Sequence, residues 1–320
     1  MKVHNSVLEL IGNTSMVRLQ RITQGIDADV LVKVEYMNPS GSLKDRIALE
    51  MINRAEKEGN LKPGYTIVES STGNTGVALS FVGIMKGYNV VIYETIPGKV
   101  GTEKIKIMSN MGAEVKVITP EDLKGLKEKS VAGAEIELPG RQICLDIETH
   151  NPDVWWARQF SNPANVSAHH ETGREMLKQT DGNIDVFVAS IGTGGTLQGI
   201  AEVLKEKNPD IRVVGIQPAS SAEKMIPGKP YPRSEIKGGI VSDMLEKKDL
   251  IDEVVTVTDG EAVEMTHRLW KEEGLYAGVS SGANVLVAVR EARKLGRGKN
   301  VVTILPDSID RYFTEEHYVT

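Results

Sequence analysis

Short apolar runs and longer amphipathic stretches alternate along almost the whole chain. Between 29 and 34, Val30, Val32 and Val34 stand at alternate positions, the period of a strand with one buried face. Beyond a turn at Pro39 and Gly41, Leu43, Ile47, Ala48, Met51, Ile52 and Ala55 recur at helical spacing, with Asp45, Arg46 and Glu50 between them. That spacing predicts a helix with Ser42 as its N-cap. Further strands are predicted over 65–68, 89–93, 114–118, 186–191, 212–216 and 300–305, and helices over 77–85, 102–111, 197–207, 260–273 and 284–295. The alternation predicts an α/β fold with mostly parallel sheets.

Three turns rich in glycine and hydroxyl groups stand where a predicted strand or loop gives way to a helix. Glu69-Ser70-Ser71-Thr72-Gly73-Asn74-Thr75-Gly76 is the first. Unpaired N–H groups at a helix start attract an anion, and Ser71, Thr72, Asn74 and Thr75 add donors suited to a carboxylate; taken alone, the run could equally be an ordinary capped turn. The second, Gly192-Thr193-Gly194-Gly195-Thr196, suits a phosphate. It is neither a Walker loop nor a dinucleotide fingerprint, since no Gly-Lys-Ser/Thr follows and Leu197 stands where the third glycine belongs. Gly278-Val279-Ser280-Ser281-Gly282-Ala283 is the third. Lys44, at the start of the first helix, is chemically able to form a Schiff base with an aldehyde once burial lowers its pKa, although a first-turn lysine is ordinarily solvated.

A lysine, a carboxylate cradle, a phosphate cradle and a serine turn are the parts needed to hold pyridoxal phosphate and an amino acid. With Ile11-Gly12-Asn13-Thr14, Asn38 to Arg46, Gln159 to Asn165 and Leu305-Pro306-Asp307-Ser308, they closely resemble the cysteine synthase (O-acetylserine sulfhydrylase) family of fold-type II pyridoxal-phosphate enzymes. The resemblance implies two domains, each a mostly parallel twisted sheet flanked by helices. The smaller, mobile one would span 38–157 with 1–12 and bind the substrate carboxylate; the larger would span 158–320 with 13–37 and bind the cofactor phosphate. It implies Lys44 as the Schiff-base lysine and the base for the α-proton, and Asn74 as partner of the pyridoxal 3′-oxygen. Gly192, Thr193, Gly194, Gly195 and Thr196 would hold the phosphate, and Ser280 the pyridine nitrogen. Ser71, Thr72, Gly73, Thr75 and Gln159 would bind the substrate carboxylate. Ser71-Thr72 exchanges the family's usual Thr-Ser order and keeps both hydroxyls.

A neutral serine at the ring nitrogen makes a weaker electron sink than a carboxylate would. That suffices when a leaving group departs from Cβ as the α-proton is lost. The resemblance therefore implies β-replacement: O-acetyl-L-serine and sulfide give L-cysteine through an α-aminoacrylate. O-phosphoserine, serine or cysteine as donor, as in cystathionine β-synthase-like or cysteine desulfhydrase-like chemistry, stays open, as does an idle partner-binding homologue. Around 226–241, Gly238-Gly239-Ile240-Val241 lacks the Gly-Ile-Gly of A-type enzymes and looks closer to the B-type loop. Arg233 could bind a donor phosphate, although an exposed loop arginine is more common, and Asp243 could activate water or serine chemistry or equally be a solvated helix residue.

At 320 residues and 40% hydrophobic, the chain is long enough for a large core split between two domains. A net charge of −6 argues against nucleic acid and acidic membranes as partners, and no apolar run reaches the length of a membrane span. Its single cysteine, Cys144, permits no intrachain disulfide and reads as a packed thiol, which fits a reducing cytoplasm. Trp155-Trp156 reads as core or dimer contact, in a chain the resemblance makes a homodimer. His169-His170 lacks the spacing of a metal motif and reads as a packed or solvated pair; no metal site is expected.

Overall fold

The computed structural model describes residues 3–71, 73–94, 102–118, 138–219 and 248–313. Thr72, Arg233, Asp243 and the stretch 226–241 lie outside the described residues. Among the described residues, ten strands form two sheets. One has the order β1 (Met16–Arg18), β2 (Asp29–Val34), β10 (Asn300–Leu305), β7 (Val186–Ser190), β8 (Arg212–Pro218), β9 (Glu253–Val257). Only the β1–β2 pair in it is antiparallel. The other sheet, all parallel, has the order β5 (Glu114–Val117), β4 (Asn89–Glu94), β3 (Thr66–Ser70), β6 (Val154–Trp156).

Strands covered by helices on both faces read as continuous apolar runs. In β10, Val301, Val302, Ile304 and Leu305 are all buried. On one face of this sheet, Val30, Val188 and Val214 pack with Met265 of α7 (Asp259–Arg268) and Val285 of α8 (Val279–Ala292). On the other, Phe187, Val213 and Val302 pack with Leu197 and Ile200 of α6 (Gly195–Lys207) and Met176 of α5 (Ala164–Gln179). The four-stranded sheet buries Ile67 and Ile92 against α1 (Lys44–Glu58), α2 (Asn74–Met85) and Met108 of α3 (Thr102–Met111). Its opposite face packs Val68 and Trp156 around Cys144 of α4 (Leu138–His150), so the thiol is a core group as expected. Trp155 and Trp156 are both buried in β6, and Trp156 Nε1 donates to Glu69 Oε1 at 2.9 Å.

The predicted strands and helices are present, and the differences sit at helix starts and ends. α2 begins at Asn74 rather than 77, α6 at Gly195 rather than 197, and α8 at Val279 rather than 284. Glycine and hydroxyl residues look like turn in a sequence, yet they are tolerated in a first turn, where N–H groups lack intrahelical partners anyway. Ser42 is not the N-cap of α1: Leu43 takes that position, and Ser42 Oγ accepts from Lys44 N at 3.3 Å. The predicted helix 260–273 ends at Arg268 and continues as a π-helical turn, Leu269–Glu273. Its start carries a capping box of Thr258 and Glu261.

Candidate active site

The candidate residues gather at the carboxyl ends of β3, β7 and β10, where open parallel sheets receive ligands. The turn after β10 is their meeting point. Leu43 N donates to Pro306 O at 2.9 Å, which sets the start of α1, and therefore Lys44, beside that turn. Gly278 N donates to Asp307 O at 2.9 Å, which brings the first turn of α8, with Ser280, to the same place. Asn74 Nδ2 donates to Asp307 Oδ2 at 2.6 Å, which brings in the start of α2. Gly278 has to be glycine here, because a Cβ would lie 2.3 Å from Asp307 Oδ1.

Lys44 is half-buried at the first position of α1, between two anchored neighbours. Asp45 is fully buried and accepts from Ser40 N at 2.7 Å and from Ser40 Oγ. Burial pushes its carboxyl up to about 6. Arg46 is held by Glu35 at 2.7 Å and by Glu175 at 2.8 Å, and Glu175 also pairs with the fully buried Lys33 at 2.6 Å. These ion pairs fasten α1 to β2 and α5, so Lys44 stands on a rigid base.

The turn after β3 is folded by Ser71, whose Oγ accepts from Gly73 N at 3.2 Å and Gly76 N at 3.0 Å. Its O–H is left to donate to something else. Gln159 reaches this turn from the loop after β6, with Nε2 donating to Ser70 O at 3.0 Å. Gln159 in turn is tied to the glycine loop: Asn165 Nδ2 donates to Gln159 O at 2.8 Å and to Thr193 Oγ1 at 3.2 Å. Thr75 is buried, and no atom lies within 4 Å of where a Cβ on Gly73 or Gly192 would stand, so both loops border open space.

Gly194 enters α6 with φ of 89°, a conformation that favours glycine. Close packing of α5 on α6 depends on Gly199, where a Cβ would sit 2.2 Å from Val166 O. That approach brings His169 to the loop. Its Nε2 lies 3.0 Å from Thr196 Oγ1, and its Nδ1 lies 3.2 Å from Thr172 Oγ1. Burial holds its pKa well below the usual histidine range, with the Lys44 charge acting in the same direction. A neutral ring has one donor and one acceptor, so it links the two threonine hydroxyls. Of the histidine pair, His169 is thus packed behind the glycine loop, while half-buried His170 pairs with Glu202 at 2.6 Å. Nothing in the spacing of the sequence singled out His169 for this place.

The family model described as "Pyridoxal-phosphate dependent enzyme" matches residues 7–307. The chain belongs to that family. Across 98% of its length and 97% of the relative's, it is 41% identical to a cysteine synthase of Staphylococcus aureus. A solved cysteine synthase of Entamoeba histolytica superposes with a TM-score of 0.85 and 34% identity, covering 100% of this chain and 92% of the other. An O-ureido-L-serine synthase superposes at 0.82 with 35% identity, covering 98% and 93%. As a pyridoxal-phosphate dependent enzyme, the protein takes that group as its cofactor.

The residues present fit such a group. Asn74 Oδ1 and Asn165 Oδ1 are buried beside the two loops and have no hydrogen-bond partner among the described residues, which leaves acceptors for a polar ligand. The glycine loop offers the free N–H groups of a helix start to a phosphate. Ser280 is half-buried in the first turn of α8, and Lys44 is the half-buried amine across the Pro306–Asp307 turn.

Proposed function

We propose that the protein makes L-cysteine by β-replacement on O-acetyl-L-serine with sulfide. The convergence of Lys44, Asn74 and Ser280 on the turn at Pro306 and Asp307 carries this reading. Pyridoxal phosphate supplies the electron sink that makes the substrate α C–H bond acidic. Lys44 holds the cofactor and takes the α-proton on its Nζ. Gly192 to Thr196 grip the phosphate through backbone N–H groups and threonine hydroxyls. Ser280 offers a neutral hydroxyl to the ring nitrogen, and Asn74 faces the ring's 3′-oxygen. Ser71, Gly73, Thr75 and Gln159, with Thr72, hold the substrate carboxylate and so turn the α C–H bond toward Lys44.

The unit built on the four-stranded sheet, 38–157 with 1–12, closes over the unit formed by 13–37 and 158–320, and so excludes water from the reacting centre. The working protein is a cytoplasmic homodimer. A second reading keeps the β-replacement class and changes the donor or the nucleophile. The likeness to an O-ureido-L-serine synthase at 35% identity favours keeping it open. Mass spectrometry of products from O-acetylserine, O-phosphoserine, serine and cysteine, each with sulfide and with a panel of other small nucleophiles, tests both readings. Cysteine from O-acetylserine is the expected result. Turnover of another donor alone would select the second reading, and failure of every donor would overturn both.

A further inference from the structure

Three residues other than glycine, among those described, have a positive φ: Asn13, Arg158 and Asp181. Asparagine and aspartate tolerate that conformation, whereas an arginine needs support from its surroundings to keep it. Arg158, at a φ of 56°, has that support. Its Nη1 and Nη2 both donate to the Glu148 carboxylate of α4, Nη1 at 2.9 Å, and Nη1 also donates to Trp156 O at 3.1 Å. The guanidinium carbon lies 4.6 Å from the centre of the Trp156 ring. Glu148 Oε1 accepts from Trp156 N at 2.9 Å as well, so one carboxylate grips both the end of β6 and the arginine beyond it.

The left-handed residue turns the chain just after β6. Arg158 O accepts from Ser161 N at 3.0 Å and from Asn162 N at 2.8 Å, which closes a tight loop. Gln159 is the first residue within that loop, and its N and Nε2 both turn back to the end of β3, at Glu69 and Ser70. An extended residue at 158 would continue the direction of β6 and carry Gln159 away from that place. We propose that Arg158 is a positioning residue: anchored on Glu148, it holds the strained turn that delivers Gln159 to the substrate carboxylate. The role rests on the reading of Gln159 as a carboxylate contact. Glu148 and α4 thereby become part of the support of the substrate cradle.

Steady-state kinetics of the holoenzyme with sulfide and O-acetyl-L-serine, or the donor that the product assay selects, test this beside the cofactor dissociation constant. Arg158→Ala keeps the strain of the turn and loses its support. Its kcat/KM is expected to fall roughly tenfold, with KM taking the larger share and cofactor affinity within about twofold of the parent. Arg158→Gly loses the same contacts but adopts the left-handed conformation readily, and is expected to stay within about threefold of the parent. Equal losses in the two variants, or a loss of cofactor affinity as large as the loss of kcat/KM, would overturn the role. Gln159→Ala separates this role from the reading beneath it. An unchanged kcat/KM there would remove Gln159 from the site, and the positioning role with it. A loss in Gln159→Ala without one in Arg158→Ala would overturn the role of Arg158 alone. Should Arg158→Ala fail to fold, Glu148→Gln replaces it, since its amide can turn N–H groups toward the guanidinium. The expected result is then roughly a threefold loss beside Arg158 and none in the Arg158→Gly background, and equal losses in both would overturn the proposal.

Discussion

Glu69 and Gln159 stand ninety residues apart in sequence, and Gln159 N donates to Glu69 Oε2 at 2.8 Å in a buried place. The other carboxylate oxygen accepts from Ser70 N at 2.8 Å and Trp156 Nε1 at 2.9 Å. One acidic side chain at the end of β3 thus sets the loop after β6, and with it the amide that reaches Ser70 O. In Glu69→Gln an amide N–H₂ replaces one oxygen and meets a donor, so a buried N–H loses its partner. The expected cost is about 1–3 kcal/mol of stability. KM for the amino acid should rise as Gln159 loses its support. Thermal unfolding with steady-state kinetics measures both, and a variant with unchanged melting temperature and KM would sink the assignment.

Lys44 has the position that suits a cofactor amine, whereas Lys33 and Lys106 do not. Lys33 is fully buried in an ion pair with Glu175, and Lys106 is exposed on α3. Borohydride reduction followed by peptide mapping should find the pyridoxyl group on Lys44. Recovery of the label on Lys33 or Lys106 would overturn the site. Lys44→Ala should keep the fold, since that side chain is only half-buried, while turnover falls by roughly a thousandfold or more.

Gly194 tests the phosphate cradle. At its φ of 89° a side chain strains the backbone by roughly 1–2 kcal/mol, and an aspartate also sets a negative charge beside an anion. Gly194→Asp should lose the cofactor on dialysis, and Gly194→Ala should weaken it less. Equal retention by Gly194→Asp and the parent would show that the loop serves some other purpose.

The strands were legible because Val30, Val32, Val301 and Ile304 have no environment to choose except a covered sheet, and all four are buried as the pattern required. The helix start at Lys44 and the turn at Gly194 were legible because each needs a local backbone, a helix start or a positive φ, that leaves a mark in the sequence. His169 was not, since its place behind Thr196 depends on how closely α5 and α6 approach at Gly199. The same holds for Glu69, whose partners lie on a different strand and in the loop beyond it. Tertiary contacts of this kind have no period and no motif.

Asp45 makes stability depend on pH in an unusual direction. Its carboxyl titrates near 3.8 when unfolded and at about 6 when folded, because burial disfavours the charge more than the Ser40 hydrogen bonds favour it. Between those values the native state binds more protons than the unfolded chain. The contribution of Asp45 is therefore fully present below about pH 4 and is lost as pH rises through about 6, to a total of about 3 kcal/mol. Most buried carboxylates with cationic partners act oppositely, and Glu35 and Glu175, both held down in pKa by Arg46 despite burial, do so here. The contribution of Asp45 is isolated by comparing the parent with Asp45→Asn, whose amide does not titrate. Chemical unfolding at pH 4 and at pH 7 should show the stability difference moving in favour of the variant by about 2–3 kcal/mol as pH rises. A difference that stays constant across that window would mean that Ser40 N and Oγ already stabilise the charge enough to restore an ordinary pKa.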